Sequence, residues 1–425
     1  MPLAALLEKL YARRRFGIRP GVDRVAVLLA RLGNPERTFR SIHVVGTNGK
    51  GSTAAFLTSI LSCSGLRTAQ FSSPHLIRFT ERFRINGSEY PADKLAVILK
   101  TVLEAAPEEA TFFEITTALS CAVFCEERVE IAVVEAGMGG VSDATAALAA
   151  EMTIVTPIAL DHAEYLGETL VEIAREKAAI IEPRTPVISA AQSDEVLLQI
   201  QQQCRVGGNL LRVFGPDFSA DWNQQSGLDY RGSSRAFGNL KPGIPGRYQS
   251  QNAAVALAAA EQLIAHGTHI SEAACVNGIA TAHWPGRMEL IAGAPPLLLD
   301  GAHNPAGAAA LAEALADYAP ARILLVTGAC ADKDIRTIYV PILPLVAQIY
   351  TVSPAVERAL DDTALSRIFS DMGRASRCCG AVVSGIQTAR ADSRPGDLIL
   401  VCGSLFLVGE VKAWLENSDY NGIRG

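Results

Sequence analysis

No apolar run in this 425-residue sequence reaches the roughly 18 residues that a membrane-spanning helix requires. Neither sign of charge dominates: 44 acidic residues face 38 basic ones, which removes the electrostatic case for a nucleic-acid or anionic-membrane surface. A secretory leader is not expected either, because MPLAALLEKLYARRRFG places its basic cluster after its apolar residues, the reverse of the secretory order. That segment is predicted to be an amphipathic helix, and the protein to be cytoplasmic. Zinc-type cysteine pairs are absent. The nine cysteines are scattered; Cys121 and Cys125 fall four apart in an apolar helical pattern, Cys378 and Cys379 are adjacent, and neither spacing is backed by a second pair. They are predicted to be buried free thiols, since free cysteine behaves as a small core hydrophobe. Internal repeats and low-complexity tracts are absent too.

What is present is alternation. A 49% hydrophobic content with 35 glycines fits a globular α/β protein, long enough for two or three domains. Short β-branched runs predict strands at 42–45, 131–135, 152–155, 186–188, 297–300, 323–327, 348–352 and 397–402. Helical patterns lie between most of them, at 53–64, 116–126, 170–181, 251–266 and 306–318. Such alternation argues a mostly parallel sheet with right-handed crossovers. Two stretches break the rhythm. Residues 206–247, rich in Gly, Asp, Asn, Gln and Ser with interspersed aromatics, predict a small antiparallel excursion. Residues 284–296, WPGRMELIAGAPP, carry three prolines and two glycines and predict a boundary between one domain over 1–290 and a second α/β domain, Rossmann-like, over 297–425.

The chemistry concentrates at predicted strand ends. IHVVGTNGKGST, at 42–53, is a buried strand, a phosphate-sized loop and a helix start, where backbone N–H groups and the helix dipole favour an anion. Lys50 adds a mobile positive charge. The loop departs from G-x-x-x-x-G-K-[ST]: with Gly49 and Lys50 aligned, the first glycine position holds Val44 and the hydroxyl position holds Gly51. The hydroxyls at hand are Thr47, Ser52 and Thr53. In VVEAGMGG, Glu135 ends an apolar strand, the crevice position of an open α/β sheet, where a carboxylate beside phosphates suits Mg²⁺; the bland reading is an acid that caps the next loop. Asp161 and His162 follow the next strand, and a lone histidine is more often a structural hydrogen-bonder than a ligand. Thr169 and Glu172 form a capping-box pattern. Lys177 lies beyond them amid Ala178, Ala179, Ile180 and Ile181, where a lysine must pair, neutralise or be modified. Ser72 and Ser73 precede Pro74, explicable by turn chemistry, or as the hydroxyl missing from the phosphate loop. Farther on, LLLDGAHNPAG places Asp300, His303 and Asn304 at another strand end, and Arg287 in WPGRME offers a phosphate-matching guanidinium.

In order along the chain, FGIRPGVDRVAVLLARLGNP, GTNGKGS, SSPHL with ERFRINGSEY, FFEITTAL, VVEAGMGG with DAT, and LDHAEYLGETLVEIAREKA resemble the folylpolyglutamate synthase/dihydrofolate synthase family of Mur-type ATP-dependent amide ligases. GRYQSQNAAVAL, WPGRME, DGAHNP, TGACADKD and VCGSLFLVGEV extend the resemblance over nearly the whole chain. It implies an α/β fold with an N-terminal P-loop domain and a C-terminal Rossmann-like domain. It also implies roles. Lys50 and the amides of Asn48, Gly49, Lys50 and Gly51, with Ser52, hold the ATP phosphates; Asn252, Arg287 and Asp300 contact the nucleotide, and His303 lies near the phosphates. Ser73 and Glu135 bind one Mg²⁺ and His162 a second. Lys177 matches a carbamylated lysine. Phe113 and Glu114, with Ser142, Asp143 and Ala144, match the pterin-binding surface. One departure stands out: where the family commonly has GGRLDATN this chain has GGVSDATA, with Val141 and Ala146 replacing an arginine and an asparagine beside the folate pocket.

The reaction so implied is attack of a pterin carboxylate on the γ-phosphate of ATP, giving an acyl phosphate that the amine of L-glutamate displaces. Small molecules are the expected partners, with no nucleic acid, no membrane and a monomeric enzyme. Closure of the two domains is expected to exclude water. Two competing expectations are a Mur-type ligase for a different carboxylate and a non-catalytic nucleotide switch.

Overall fold

A computed structural model describes residues 2–13, 21–161, 163–223, 227–318 and 320–420. His162 and residues 14–20 of the N-terminal run therefore lie outside the described residues. Eight strands among those described form the first sheet: β1 (Arg40–Val45), β2 (Thr68–Phe71), β3 (Phe83–Ile85), β4 (Ser88–Glu89), β5 (Ile131–Glu135), β6 (Met152–Val155), β7 (Val187–Ser189) and β8 (Leu211–Val213), in the order β4-β3-β2-β5-β1-β6-β7-β8. All neighbours are parallel except β2–β3 and β3–β4. β1 sits in the middle, Val44 level with Glu135 on β5 and Val45 level with Val155 on β6. The loops that follow these three strands therefore emerge on one rim.

Both faces of this sheet are covered, which is why its strands read as continuous apolar runs. Ile131 and Val133 turn toward a core shared with helices Lys50–Cys63 and Gln249–Ala265. Ala132 and Val134 turn to the opposite core, with helices Asp23–Arg31, Ala92–Ala105 and Phe112–Glu126. That is the two-residue period of a strand. The expected antiparallel excursion is the three-stranded sheet of β9 (Ser219–Trp222), β10 (Leu228–Arg231) and β11 (Ala236–Leu240).

The second sheet runs β12-β13-β17-β14-β15-β16, with β12 (Glu289–Ile291), β13 (Leu297–Leu299), β14 (Ile323–Thr327), β15 (Val346–Thr351), β16 (Arg377–Cys378) and β17 (Leu398–Cys402). It corrects the predicted boundary. Glu289, Leu290 and Ile291 pair antiparallel with Leu299, Leu298 and Leu297, so the second unit begins inside the stretch assigned to the first domain and the linker. Three prolines and two glycines masked a short edge strand, the position where a sheet tolerates such neighbours. The short strands β2, β3 and β4 also escaped the sequence, their runs being too brief to show a period.

Helix starts follow local chemistry. Thr111 and Glu114 make a capping box for Phe112–Glu126, Thr169 and Glu172 make the predicted one for Leu170–Ala178, and Asn304 caps Pro305–Leu315 ahead of a proline at its first position. The cysteines are all free, but only Cys121, Cys204, Cys275, Cys330 and Cys402 are buried; Cys63 and Cys378 are exposed and Cys125 and Cys379 half-buried, which corrects the uniform burial expected. No helix among the described residues is long and apolar enough to cross a membrane.

Candidate active site

The phosphate loop closes β1 onto helix Lys50–Cys63. Gly49 caps that helix in the left-handed region, φ 84°, and Lys50 Nζ donates to the carbonyls of Gly46 and Thr47, each at 3.2 Å. One expectation needs correction here. The backbone N–H of Asn48 donates to Pro157 O at 3.1 Å, as that of Thr47 does at 2.9 Å, so the Asn48 amide serves the loop and not an anion. Lys50 and Gly51 stand in the first turn of the helix, where backbone N–H groups lack an intrahelical acceptor. Gly51 has a steric reason for lacking the usual hydroxyl: a Cβ there would stand 2.6 Å from Nε1 of Trp284. Ser52 accepts a hydrogen bond from Gln249 Nε2 at 3.3 Å, and Asn252 accepts one from Thr53 at 3.4 Å while donating to Gln249 at 2.8 Å, so helix Gln249–Ala265 braces the loop from behind.

Glu135 ends β5 in a cleft that it shares with Gly51, Ser73, Trp284 and Arg287. Burial pushes its carboxyl up to about 7, against the opposing pull of Lys50, the Ser73 amide, Arg287 and Arg82. The carboxylate is thus kept from water with cations near it but, among the described residues, no partner that neutralises it fully, the setting that a divalent cation relieves. Lys177 shows the complementary stress. Its Nζ donates to Met138 O at 2.6 Å, and burial together with the Lys50 charge brings the amine down to about 7, despite Asp143, Asp161 and Glu176. The sequence placed this lysine near apolar surface; the fold buries it beneath the glycine loop after β5, where a Cβ on Gly140 would lie 1.9 Å from Glu176 O.

The second unit presents Asp300, His303 and Asn304 beyond β13. The Asp300 carboxylate accepts from Tyr248 OH, Met288 N and Ala302 N, each at 2.9 Å. His303 Nδ1 faces Gly301 O at 2.8 Å, which leaves Nε2 toward Asp161, 3.7 Å away. Asn304 and Asn48 exchange side-chain hydrogen bonds of 2.9 and 3.3 Å, joining the second unit to the phosphate loop. Asp161, from the loop after β6, completes this junction by accepting from Lys333 Nζ at 2.7 Å and Asn304 Nδ2 at 3.3 Å. Arg287, whose Nη1 donates to Gly286 O at 3.1 Å, reaches the cleft from the linker.

The predicted acceptor surface is brought together as well, with part of it structural. Phe113 closes on Gly137, whose added Cβ would be 2.5 Å from its ring, and packs against Phe71. Glu114 caps its own helix and pairs with Arg24 at 2.7 Å. Ser142 bonds Glu176, and Asp143 accepts from Met138 N at 3.0 Å and from Thr145 at 3.0 and 2.7 Å, which shapes the loop that ends at Ala144. The sequence missed Lys333, Trp284, Tyr248 and Arg24. Lys333 stood inside TGACADKD and Trp284 inside WPGRME, so both motifs were seen without a role for these residues.

This geometry agrees with three comparisons. Residues 44–260 match the Mur ligase middle domain, and residues 286–405 the glutamate ligase domain of Mur ligases. A dihydrofolate synthase/folylpolyglutamate synthase of Bacillus subtilis is 31% identical over 96% of this chain and 97% of its own. The chain spans about half the length of a probable bifunctional folylpolyglutamate synthase/dihydropteroate synthase of Halobacterium salinarum, 34% identical over 94% of this chain and 50% of that one. Among solved structures, E. coli FolC in complex with DHPP and ADP superposes with a TM-score of 0.90 at 32% identity, covering 98% of each chain. A bifunctional folylpolyglutamate synthase/dihydrofolate synthase with Mn, AMPPNP and L-glutamate bound gives 0.88 at 29%, again over 98% of each. The chain belongs to the Mur ligase family and, within it, to the folylpolyglutamate synthase/dihydrofolate synthase group.

Proposed function

We propose that this protein ligates L-glutamate to the carboxylate of a pterin or folate, spending ATP and releasing ADP and phosphate. The observation that carries the reading is the convergence of Lys50, Glu135 and Lys177 on the rim of the first sheet with Arg287 and His303 from the linker and second unit. The relatives support it by what they hold: ADP and DHPP in one, Mn, AMPPNP and L-glutamate in the other.

Lys50 and the helix-start amides would grip the phosphates, while Arg287 and His303 face the same space from the other side. Ser73 and Glu135 would hold a divalent cation, with too few protein oxygens for a closed cage and phosphate oxygens completing the set, as Mg²⁺ prefers. Bound there, the ion would neutralise charge on the phosphoryl group in transfer. His162 is the proposed ligand of a second ion. Lys177, held near neutrality, would react as a free amine with carbon dioxide, losing one proton and gaining a carboxylate. The acceptor carboxylate takes the γ-phosphoryl group, the glutamate amine attacks the resulting carbonyl, and phosphate departs. Phe113 and the 142–144 loop would seat the pterin.

Mass spectrometry of products from dihydropteroate and from tetrahydrofolate, each with glutamate and ATP, tests this. One or more added glutamyl residues with matching ADP are expected; ADP without amide product overturns the reading. A second reading, ligation to a different carboxylate acceptor, is favoured by Val141, which is exposed on the loop before Ser142. An amide product formed only with a non-pterin acid establishes it.

A further inference from the structure

The run SSPHL, at positions 72–76, lines the cleft with Glu135, Trp284 and Arg287, yet the proposed chemistry uses only its Ser73. His75 lies two residues on, on the same wall and nearly buried. Its Nδ1 accepts a hydrogen bond of 2.9 Å from Arg82 Nε. A guanidinium only donates, so Nδ1 is the ring nitrogen without hydrogen, and the neutral imidazole carries its hydrogen on Nε2.

Arg82 is built to enforce this. It is 1% exposed, its Cζ lies 5.7 Å from the ring centre of Phe79 and 5.4 Å from that of Phe112, and its Nη2 has no hydrogen-bond partner among the described residues. Burying a guanidinium is costly unless it does something there. The two aromatic rings hold its position, and the His75 ring meets Phe79 edge-on at 5.9 Å and 78°. His75 is thereby fixed in place and in tautomer beside a cleft that also carries Arg84 and Arg287.

We propose that His75 is a fixed neutral donor whose Nε2–H binds an anionic oxygen of a substrate in this cleft, with Arg82 as the positioning residue that sets its tautomer. The nature of the oxygen rests on the ligase reading. That reaction brings phosphate oxygens on ATP, the acceptor carboxylate and the carboxylates of glutamate to one place. A neutral N–H can orient any of them without adding a further cation to a cleft that has two arginines already.

The test joins spectroscopy to kinetics on the full chain. In ¹⁵N-histidine-labelled protein, the ring signals lost in His75→Gln should show an unprotonated Nδ1 and a protonated Nε2, and Arg82→Met should shift the tautomer toward Nδ1–H. His75→Leu should lower kcat or raise one KM about tenfold to a hundredfold, the range for losing one donor to a charged oxygen. His75→Gln, whose amide nitrogen falls near the place of Nε2, should recover most of that. Whether the KM that moves is for ATP, the pterin acceptor or glutamate identifies the source of the oxygen. An Nδ1–H tautomer in the unaltered protein overturns the proposal. So do Leu and Gln variants that are equally active or equally impaired. If Arg82→Met does not fold, the native tautomer and the two His75 variants decide. If the protein forms no glutamyl product at all, the ligase reading fails; the tautomer and the affinity of the same variants for AMPPNP then judge His75 separately.

Discussion

The rim of the first sheet and the rim of the second carry similar residues in opposite conditions. At the end of β5 and beneath its loop, Glu135 and Lys177 are ionisable groups driven toward neutrality by burial. At the end of β13, Asp300 is as buried as Glu135 but holds three donors at 2.9 Å, and Asn304 is spent on a helix cap and on Asn48. Stress at one rim and satisfaction at the other divide the work. The first rim is where charge has yet to be balanced, so binding and chemistry change it most. At the second, Asp300 and Asn304 already have their partners.

That contrast can be broken, most severely at Lys177. Lys177→Met keeps the bulk of the side chain and removes the amine; turnover measured as glutamate-dependent ADP release should fall by about a thousandfold or more, in the range of lost transition-state charge stabilisation. Near-normal turnover would mean that the stressed lysine is only a core residue. Next comes His43, in the middle of β1. Burial lowers it to about 4, with Asp143 and a Thr145 carbonyl contact opposing. Its folded pKa lies below the unfolded value near 6.5, so the unfolded chain binds the extra proton as pH falls from 6.5 to 4. The His43 contribution to stability should fall by about 3 kcal/mol across that window and level off below it. Urea midpoints across the window should lose most of this dependence in His43→Leu, and an unchanged slope would assign the acid sensitivity elsewhere.

Restoring the usual hydroxyl by Gly51→Ser should harm and not help. With the new Cβ 2.6 Å from Trp284 Nε1, kcat/KM for ATP should fall about a hundredfold as the loop shifts. The second rim should respond least. Lys333→Met leaves Asp161 with His303 and Asn304, so it should raise KM for ATP about tenfold and weaken any compaction that small-angle scattering records on adding ATP, Mg²⁺ and acceptor. A larger loss there than at Lys177 would invert the division between the rims.

Much of this was legible in the sequence because strand and loop chemistry are local. β5, β6 and β14 fall at their predicted residues, and the Thr169 capping box is where its spacing put it. What stayed hidden depends on residues far apart in the chain. Lys333 acquires meaning only opposite Asp161, 172 positions away, and Trp284 only against Gly51. Asn48 was misjudged for the same reason, since nothing within the loop says that Pro157 takes its amide. The edge strand β12 was lost to its own prolines and glycines. Positions 141 and 146 were the reverse case: the sequence flagged them, and the fold gives Val141 an exposed place and Ala146 a half-buried one.

The contact between Gly51 and Trp284 has a consequence for how such chains can diverge. Trp284 belongs to the linker, Gly51 to the first turn after the phosphate loop, and the two touch with no room for a methyl group. Neither can drift alone: a side chain at 51 requires a smaller residue at 284, and a linker that swings must drag the indole across the helix start. Linker and phosphate loop are therefore sterically tied to each other, and the indole, one of three in the chain, should report by its fluorescence any change in their contact.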